Sequence, residues 1–199
     1  LSIATIATVS RKSLIWIIGI LVTTAILINV EHCSYAKLRE TLTMESITGK
    51  IISKFKNIEH ITTDDLANSL SQPGNSKEIL LIDARTPAEF KVSHLPNAQN
   101  LQTVDEVKNH LASRATPPKR MVIYCSVGYR SADLASQLQD AKITDIPIQN
   151  LLGSIFSWAN EGRPLAKADN RPAKKVHPFN SKWGRLLNEK YRADLTEGE

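Results

Sequence analysis

Apolar positions along the chain follow two regimes. Near the N-terminus, Ser13 to Val30 carries no charge, and its apolar run from Leu14 to Ile28 is preceded by Arg11 and Lys12. From Ile58 onward, short apolar runs alternate with stretches of helical spacing. Ile79-Leu80-Leu81-Ile82, Met121-Val122-Ile123-Tyr124 and Pro147 to Leu151 read as strands. Their runs are continuous, as expected of parallel strands covered on both faces. Between them, helices are predicted at Leu66 to Leu70 behind the cap Thr63-Asp64-Asp65, at Val104 to Leu111, at Ser131 to Leu138 and at Ser154 to Asn160. A helical turn at Pro87 to Phe90 is capped by Thr86, with proline at its first position. Ser71-Gln72-Pro73-Gly74-Asn75 is a loop, and Thr116-Pro117-Pro118, Gly162 and Pro164 end helices. The alternation predicts an α/β fold, a parallel sheet flanked by helices and preceded by an N-terminal hydrophobic helix.

The same pattern divides the chain into an N-terminal segment at 1–35 (apolar 13–30), a connecting stalk at 36–57, an α/β domain at 58–165 and a basic tail at 166–199. The stalk carries Leu38, Leu42, Ile51, Ile52 and Phe55 at spacings that fit one or two short amphipathic helices. In the tail, an amphipathic helix is expected from Ser181 to Arg192, packed on the domain or touching lipid.

A membrane-spanning helix needs roughly 17 to 25 apolar residues and a signal-peptide core about 7 to 15, so the run at 13–30 sits where the two ranges meet. An uncleaved single-pass anchor is the preferred reading. A cleaved, secreted form, with Ser34-Tyr35-Ala36 as the processing site, stands beside it, and a buried core helix is the third. Arg11 and Lys12 before the run are balanced by Lys37 and Arg39 after it. A short N-terminus held inside by its basic pair would place the domain on the extracytoplasmic side.

The net charge of +5 does not point to nucleic acid once its distribution is considered. Residues 1–57 hold seven Lys/Arg against three acids, residues 58–162 nine against twelve, and residues 163–199 nine against five. The mildly acidic middle is flanked by basic ends. Those ends suit solvated surface or anionic lipid headgroups better than a phosphate backbone. Two cysteines, Cys33 and Cys125, exclude a disulfide framework and build no metal site by spacing. Cys33 is read as an incidental cysteine at the end of the apolar segment.

Cys125 is different. It opens the run Cys125-Ser126-Val127-Gly128-Tyr129-Arg130-Ser131 between a strand and a helix. A tight loop in that place turns backbone N–H groups and the positive end of the helix dipole inward. A thiolate held by amides, dipole and the Arg130 guanidinium becomes a nucleophile near neutral pH. Gly128 gives the loop its backbone freedom. Asp83, Ala84 and Arg85 follow the first long strand as Cys125 follows the second, so both strand ends are expected to face one pocket.

Leu80 to Phe90, His94-Leu95-Pro96-Asn97-Ala98, Val122 to Ser131 and Leu151 to Leu165 together resemble, in order, a single-domain rhodanese, a sulfurtransferase. The resemblance implies transfer of a sulfane sulfur from thiosulfate or a persulfide donor to a thiol or cyanide acceptor through a Cys125 persulfide. It implies an anion-binding loop of Ser126, Val127, Gly128, Tyr129 and Arg130, and Asp83 and Arg85 at the pocket edge. No cofactor and no metal are implied. The partners implied are a small anionic sulfur donor and a thiol acceptor, with membrane lipid at the N-terminal segment. Six residues from Cys125 to Arg130 match the loop of the sulfurtransferases, whereas related phosphatases have seven. A phosphatase or arsenate reductase of the same fold remains an alternative, as does a membrane-tethered binding module with little turnover. Arg85 and Glu89, four apart, are expected to pair on the turn. His94 is read as structural, and Phe156 and Trp158 as core. Ser93 and Asn97 stand where the family carries glycines, and Asn97 tolerates left-handed geometry. The uncharged Ser126, Val127 and Tyr129 point away from efficient use of thiosulfate.

Overall fold

The computed structural model describes residues 43–169 and 171–198. The expected span at 13–30, Cys33 and the expected cleavage site lie outside the described residues. Among the described residues, no helix is long and apolar enough to cross a membrane.

The chain forms α1 (Met44–Lys54), β1 (Glu59–Ile61), α2 (Thr63–Ser71), α3 (Asn75–Glu78), β2 (Ile79–Asp83), α4 (Pro87–Val92) and β3 (Gln99–Asn100). It continues through α5 (Val104–Ser113), β4 (Arg120–Tyr124), α6 (Tyr129–Asp140), β5 (Ile148–Leu151), α7 (Ser154–Asn160), β6 (Leu165–Ala166) and β7 (Pro172–Ala173). Strands β1 to β5 form one sheet in the order β1-β5-β4-β2-β3, with every pairing parallel. The central strands are the continuous apolar runs: β2 is buried throughout, and β4 from Met121 to Tyr124. Burying a Leu or Ile side chain in such a sheet contributes about 1.5–3 kcal/mol. Helix α6 packs on β4 and β5, while α5 packs on α6 and α2 on α7.

The strand register places the chemistry. Asp83 pairs with Tyr124 at the last position of β2 and β4, and the Ala84 amide donates to the Tyr124 carbonyl at 2.9 Å. Cys125 therefore leaves the sheet at its carboxyl edge, where ligands of parallel sheets bind. Helix α4 is fixed beside it by a reciprocal cap. The Glu89 amide donates to Thr86 Oγ1, and the Thr86 amide donates to the Glu89 carboxylate. Such a cap stabilises a helix start by about 1 kcal/mol. The cap of α2 lies one residue earlier than expected, because Thr62 and not Thr63 accepts from the Asp65 amide.

Two expectations need correction. The described part of the stretch read as a connecting stalk, 43–57, is packed on the domain: Ile47, Ile51 and Phe55 join the hydrophobic core. Ile47 and Ile51 are one turn apart, and the apolar stripe they form must be covered by something. The tail does not form an α-helix from Ser181 to Arg192. It forms two 3-10 turns, Trp183–Leu186 and Glu189–Tyr191. Gly184 lies so close to Pro178 that a Cβ there would stand 2.8 Å from the proline ring, and Leu187 between the turns is extended. The tail is tied to α7 through Asn160, whose amide donates to the Leu186 carbonyl at 2.8 Å and accepts from the Asn188 amide at 2.7 Å.

Candidate active site

Gly128, at φ 113°, ends the loop after β4 and caps α6, so the chain turns from strand to helix within a few residues. A Cβ at this position would make only ordinary van der Waals contact with Ile51, the Leu151 carbonyl and Asn150, so it is the left-handed backbone that calls for glycine. Helix α7 fixes the other side of the loop. The Cys125 amide donates to Ser154 Oγ at 3.1 Å, and the Cys125 and Ser126 carbonyls accept from the Ile155 and Phe156 amides. Ser154 itself is fully buried in a left-handed conformation. That position gives its hydroxyl a route to both the Cys125 amide and the Leu151 carbonyl.

The Cys125 thiol is nearly buried but contributes to the wall of a cavity of about 470 Å³. Its Sγ accepts from the Gly128 amide at 3.2 Å. Burial alone would push the thiol pKa up. The Arg130 charge, the hydroxyl and amide of Ser131 and the Gly128 amide outweigh it, and the thiol ionises below its ordinary value. The Ser131 hydroxyl lies 2.7 Å from Asn150 Oδ1, so its single proton is contested by the sulfur and a fully buried amide oxygen. Ser131→Ala is expected to raise the Cys125 pKa toward that of a free thiol. The pH dependence of Cys125 alkylation, followed by peptide mass mapping, checks this, and an unchanged titration would remove Ser131 from the account.

Arg130 has one dominant partner. Its Nη1 and Nη2 donate to the two Glu89 carboxylate oxygens at 2.9 and 2.8 Å, and Nη2 also reaches Ser126 Oγ at 3.0 Å. Ser126 Oγ donates in turn to Glu89 at 3.1 Å. Burial would raise the Glu89 pKa, but the bidentate Arg130 contact, the nearby Arg85 charge and the Thr86 amide bring it down to about 2. The carboxylate that caps α4 thus also aims the guanidinium of the loop.

The pair expected between Arg85 and Glu89 does not form. Arg85 is fully buried and captured by Asp83, with Nε to Oδ1 at 2.9 Å and Nη2 to Oδ2 at 2.7 Å, and Nη2 donates to the Ser93 carbonyl at 2.6 Å. Asp83 and Arg85 are both fully buried, and neither lines the cavity. They brace the turn after β2, together with Asn100, whose amide donates to both of their carbonyls. His94 sits in the same buried turn, its Nδ1 against the Phe90 carbonyl at 3.1 Å and its ring stacked on Phe90. Burial lowers its pKa, as suits a neutral structural imidazole. Asn97 adopts φ 64°, the left-handed geometry expected of it. Trp158 and Phe156 are core.

Side chains from outside the quoted motifs complete the cavity. Ile47 and Ile51 of α1 line it, as do Phe179 and Trp183 of the tail. Ile51 is among the apolar positions read in the sequence, but Ile47 is not. Where the α1 face docks, and the arrival of the tail, were not visible in the sequence either.

The chain matches the rhodanese-like domain family over residues 63–161. It is 30% identical over 108 residues to a sulfurtransferase of Allochromatium vinosum, spanning 54% of this chain and 94% of that protein. The chain belongs to the rhodanese-like domain family. This rhodanese-like chain is also 32% identical over 95 residues to a tRNA sulfurtransferase of Thermoplasma acidophilum, across 45% of its own length and 19% of that protein. A thiosulfate sulfurtransferase of Pseudomonas aeruginosa has the same fold, at TM-score 0.51 and 15% identity, over 72% of this chain and 26% of that one. The family match leaves out α1 and the tail, so two walls of the rhodanese-like cavity come from segments beyond it.

Proposed function

We propose that the protein is a sulfurtransferase that carries a sulfane sulfur on Cys125, from thiosulfate or a persulfide donor to a thiol or cyanide acceptor. One observation carries the reading: a thiol at the wall of a cavity, with a lowered pKa, held by the Gly128 amide and Ser131 beside the Arg130 guanidinium. The Cys125 thiolate attacks the donor's terminal sulfur and a new S–S bond forms. The donor's own bond to that sulfur breaks, and its electron pair leaves with sulfite or a thiolate. An acceptor thiolate or cyanide then takes the terminal sulfur and restores the Cys125 thiolate. The loop amide, Ser131 and Arg130 stabilise negative charge in both states.

In this reading Ser126 and Arg130 position the loop through Glu89, Val127 and Tyr129 form its cavity face, and Asp83 and Arg85 brace the turn after β2. The uncharged run at 13–30 supports a membrane tether for the domain, and Arg11 and Lys12 before it favour the extracytoplasmic side for the catalytic part. Intact mass measurement of the full chain after exposure to thiosulfate, and separately to a thiol persulfide, tests the chemistry. One added sulfur atom on Cys125, removed by an acceptor thiol or cyanide, is expected. If the chain gains no sulfur from either donor, the proposal fails.

A further inference from the structure

The loop motif accounts for the reacting sulfur but not for the space beside it. A volume of about 470 Å³ falls within the roughly 300–1,000 Å³ of sites that enclose whole organic ligands. Thiosulfate or cyanide would occupy a small part of it. The wall is mostly hydrocarbon: Ile47 and Ile51 from α1, Val127 from the loop, and Phe179 and Trp183 from the tail.

Its charged members are all cationic, Lys50, Lys54 and Arg130, and among the described residues no carboxylate lines it. Lys54 lies over the Tyr129 ring, 4.6 Å from its centroid, and contacts the Tyr129 hydroxyl. Arg130 lies 4.8 Å from the centroid of Phe179. The cavity is thus an apolar chamber with Cys125 in its wall and cationic side chains beside it, Arg130 paired with Glu89 and Lys54 against Tyr129. A ligand complementary to it is an anion attached to an apolar body.

We propose that the sulfur donor is an organic sulfane-sulfur anion, a persulfide or thiosulfonate whose transferable sulfur is joined to an aryl or branched alkyl body, and that α1 and the tail select it through Ile47, Ile51, Phe179 and Trp183. This rests on the sulfurtransferase reading and deepens it. With a thiosulfonate, the Cys125 thiolate attacks the terminal sulfur and the Cys125 S–S bond forms. The bond between the terminal and sulfonyl sulfurs breaks, and its electron pair leaves on the sulfinate. No outside oxidant or reductant enters.

The test compares three donors on the full chain, benzenethiosulfonate, methanethiosulfonate and thiosulfate, with each rate divided by that of the same donor with a small free thiol. The aryl donor is expected to exceed the methyl donor in kcat/KM by at least about tenfold, the discrimination available from apolar contact in a pocket. Phe179→Ala, at a site 43% exposed, is expected to reduce that ratio by at least about threefold, with folding checked by thermal melt. If Cys125 takes sulfur from all three donors, but the aryl donor has no advantage over methyl or is matched by thiosulfate, this inference is overturned and the sulfurtransferase reading stands. An aryl preference that Phe179→Ala leaves intact also overturns it. If no donor places sulfur on Cys125, the underlying reading fails as well.

Discussion

Cys125→Ser is expected to abolish sulfur transfer, lowering kcat/KM by at least about a thousandfold, while leaving the melting temperature within a few degrees of the parent. The hydroxyl is close in size to the thiol, and the Cys125 backbone contacts to Ser154 and Ile155 do not involve the side chain. The Gly128 amide keeps an acceptor in place of Sγ. What disappears is the nucleophile: a serine hydroxyl stays protonated where the thiol ionises, and it forms no persulfide. Steady-state transfer and intact mass after donor exposure read the result together. Residual transfer near the parental rate would place the chemistry elsewhere and remove Cys125 from the mechanism. An unfolded variant is ruled out by the melt measured on the same sample.

How much of this was readable in the sequence depended on whether a feature was local. Strands β2 and β4 were legible because burial on both faces leaves uninterrupted apolar runs. The α4 start was legible because Thr86, Pro87 and Glu89 lie within one turn of one another. Strand β1 was not, since Glu-His-Ile is three residues long and buries only the last of them, and β3 has just two residues. Such strands exist because β5 and β2 offer them a paired edge. Helix α3 fell in and beyond the expected loop for a related reason, being a single turn.

Ion-pair partners showed the same limit. Helical spacing put Arg85 opposite Glu89, but Asp83 lies just two residues before Arg85 and takes its guanidinium into the interior. Glu89 was thereby left to Arg130, 41 residues further along, a contact set by where α4 and the β4 loop meet. The cavity walls were least legible, because Ile47, Ile51, Phe179 and Trp183 come from opposite ends of the described chain. A hydrophobic stripe tells that a surface must be covered, not which surface covers it.

The Glu89 carboxylate, 3% exposed, receives two bonds from Arg130, one from the Ser126 hydroxyl, and the amide and hydroxyl of Thr86. Glu89→Ala is therefore expected to cost about 3–5 kcal/mol, since it leaves a largely buried guanidinium without its counter-charge and opens the α4 cap. In a domain of this size that corresponds to a melting temperature lower by roughly 6–20 °C. Transfer should fall by about a hundredfold in kcat/KM in the folded fraction, because Arg130 and Ser126 lose the group that aims them. The pH dependence gives an independent reading. Folding depresses the Glu89 pKa from 4.5 to about 2. Its contribution is whole above about pH 4.5 and is lost as the pH falls through about 2, an amount of about 3 kcal/mol. Denaturation of parent and variant across that window should show the stability gap between them closing as the pH drops. A gap that stays constant to the bottom of the window would mean that Glu89 is not held ionised by Arg130, and the account of how the loop is aimed would have to be rebuilt.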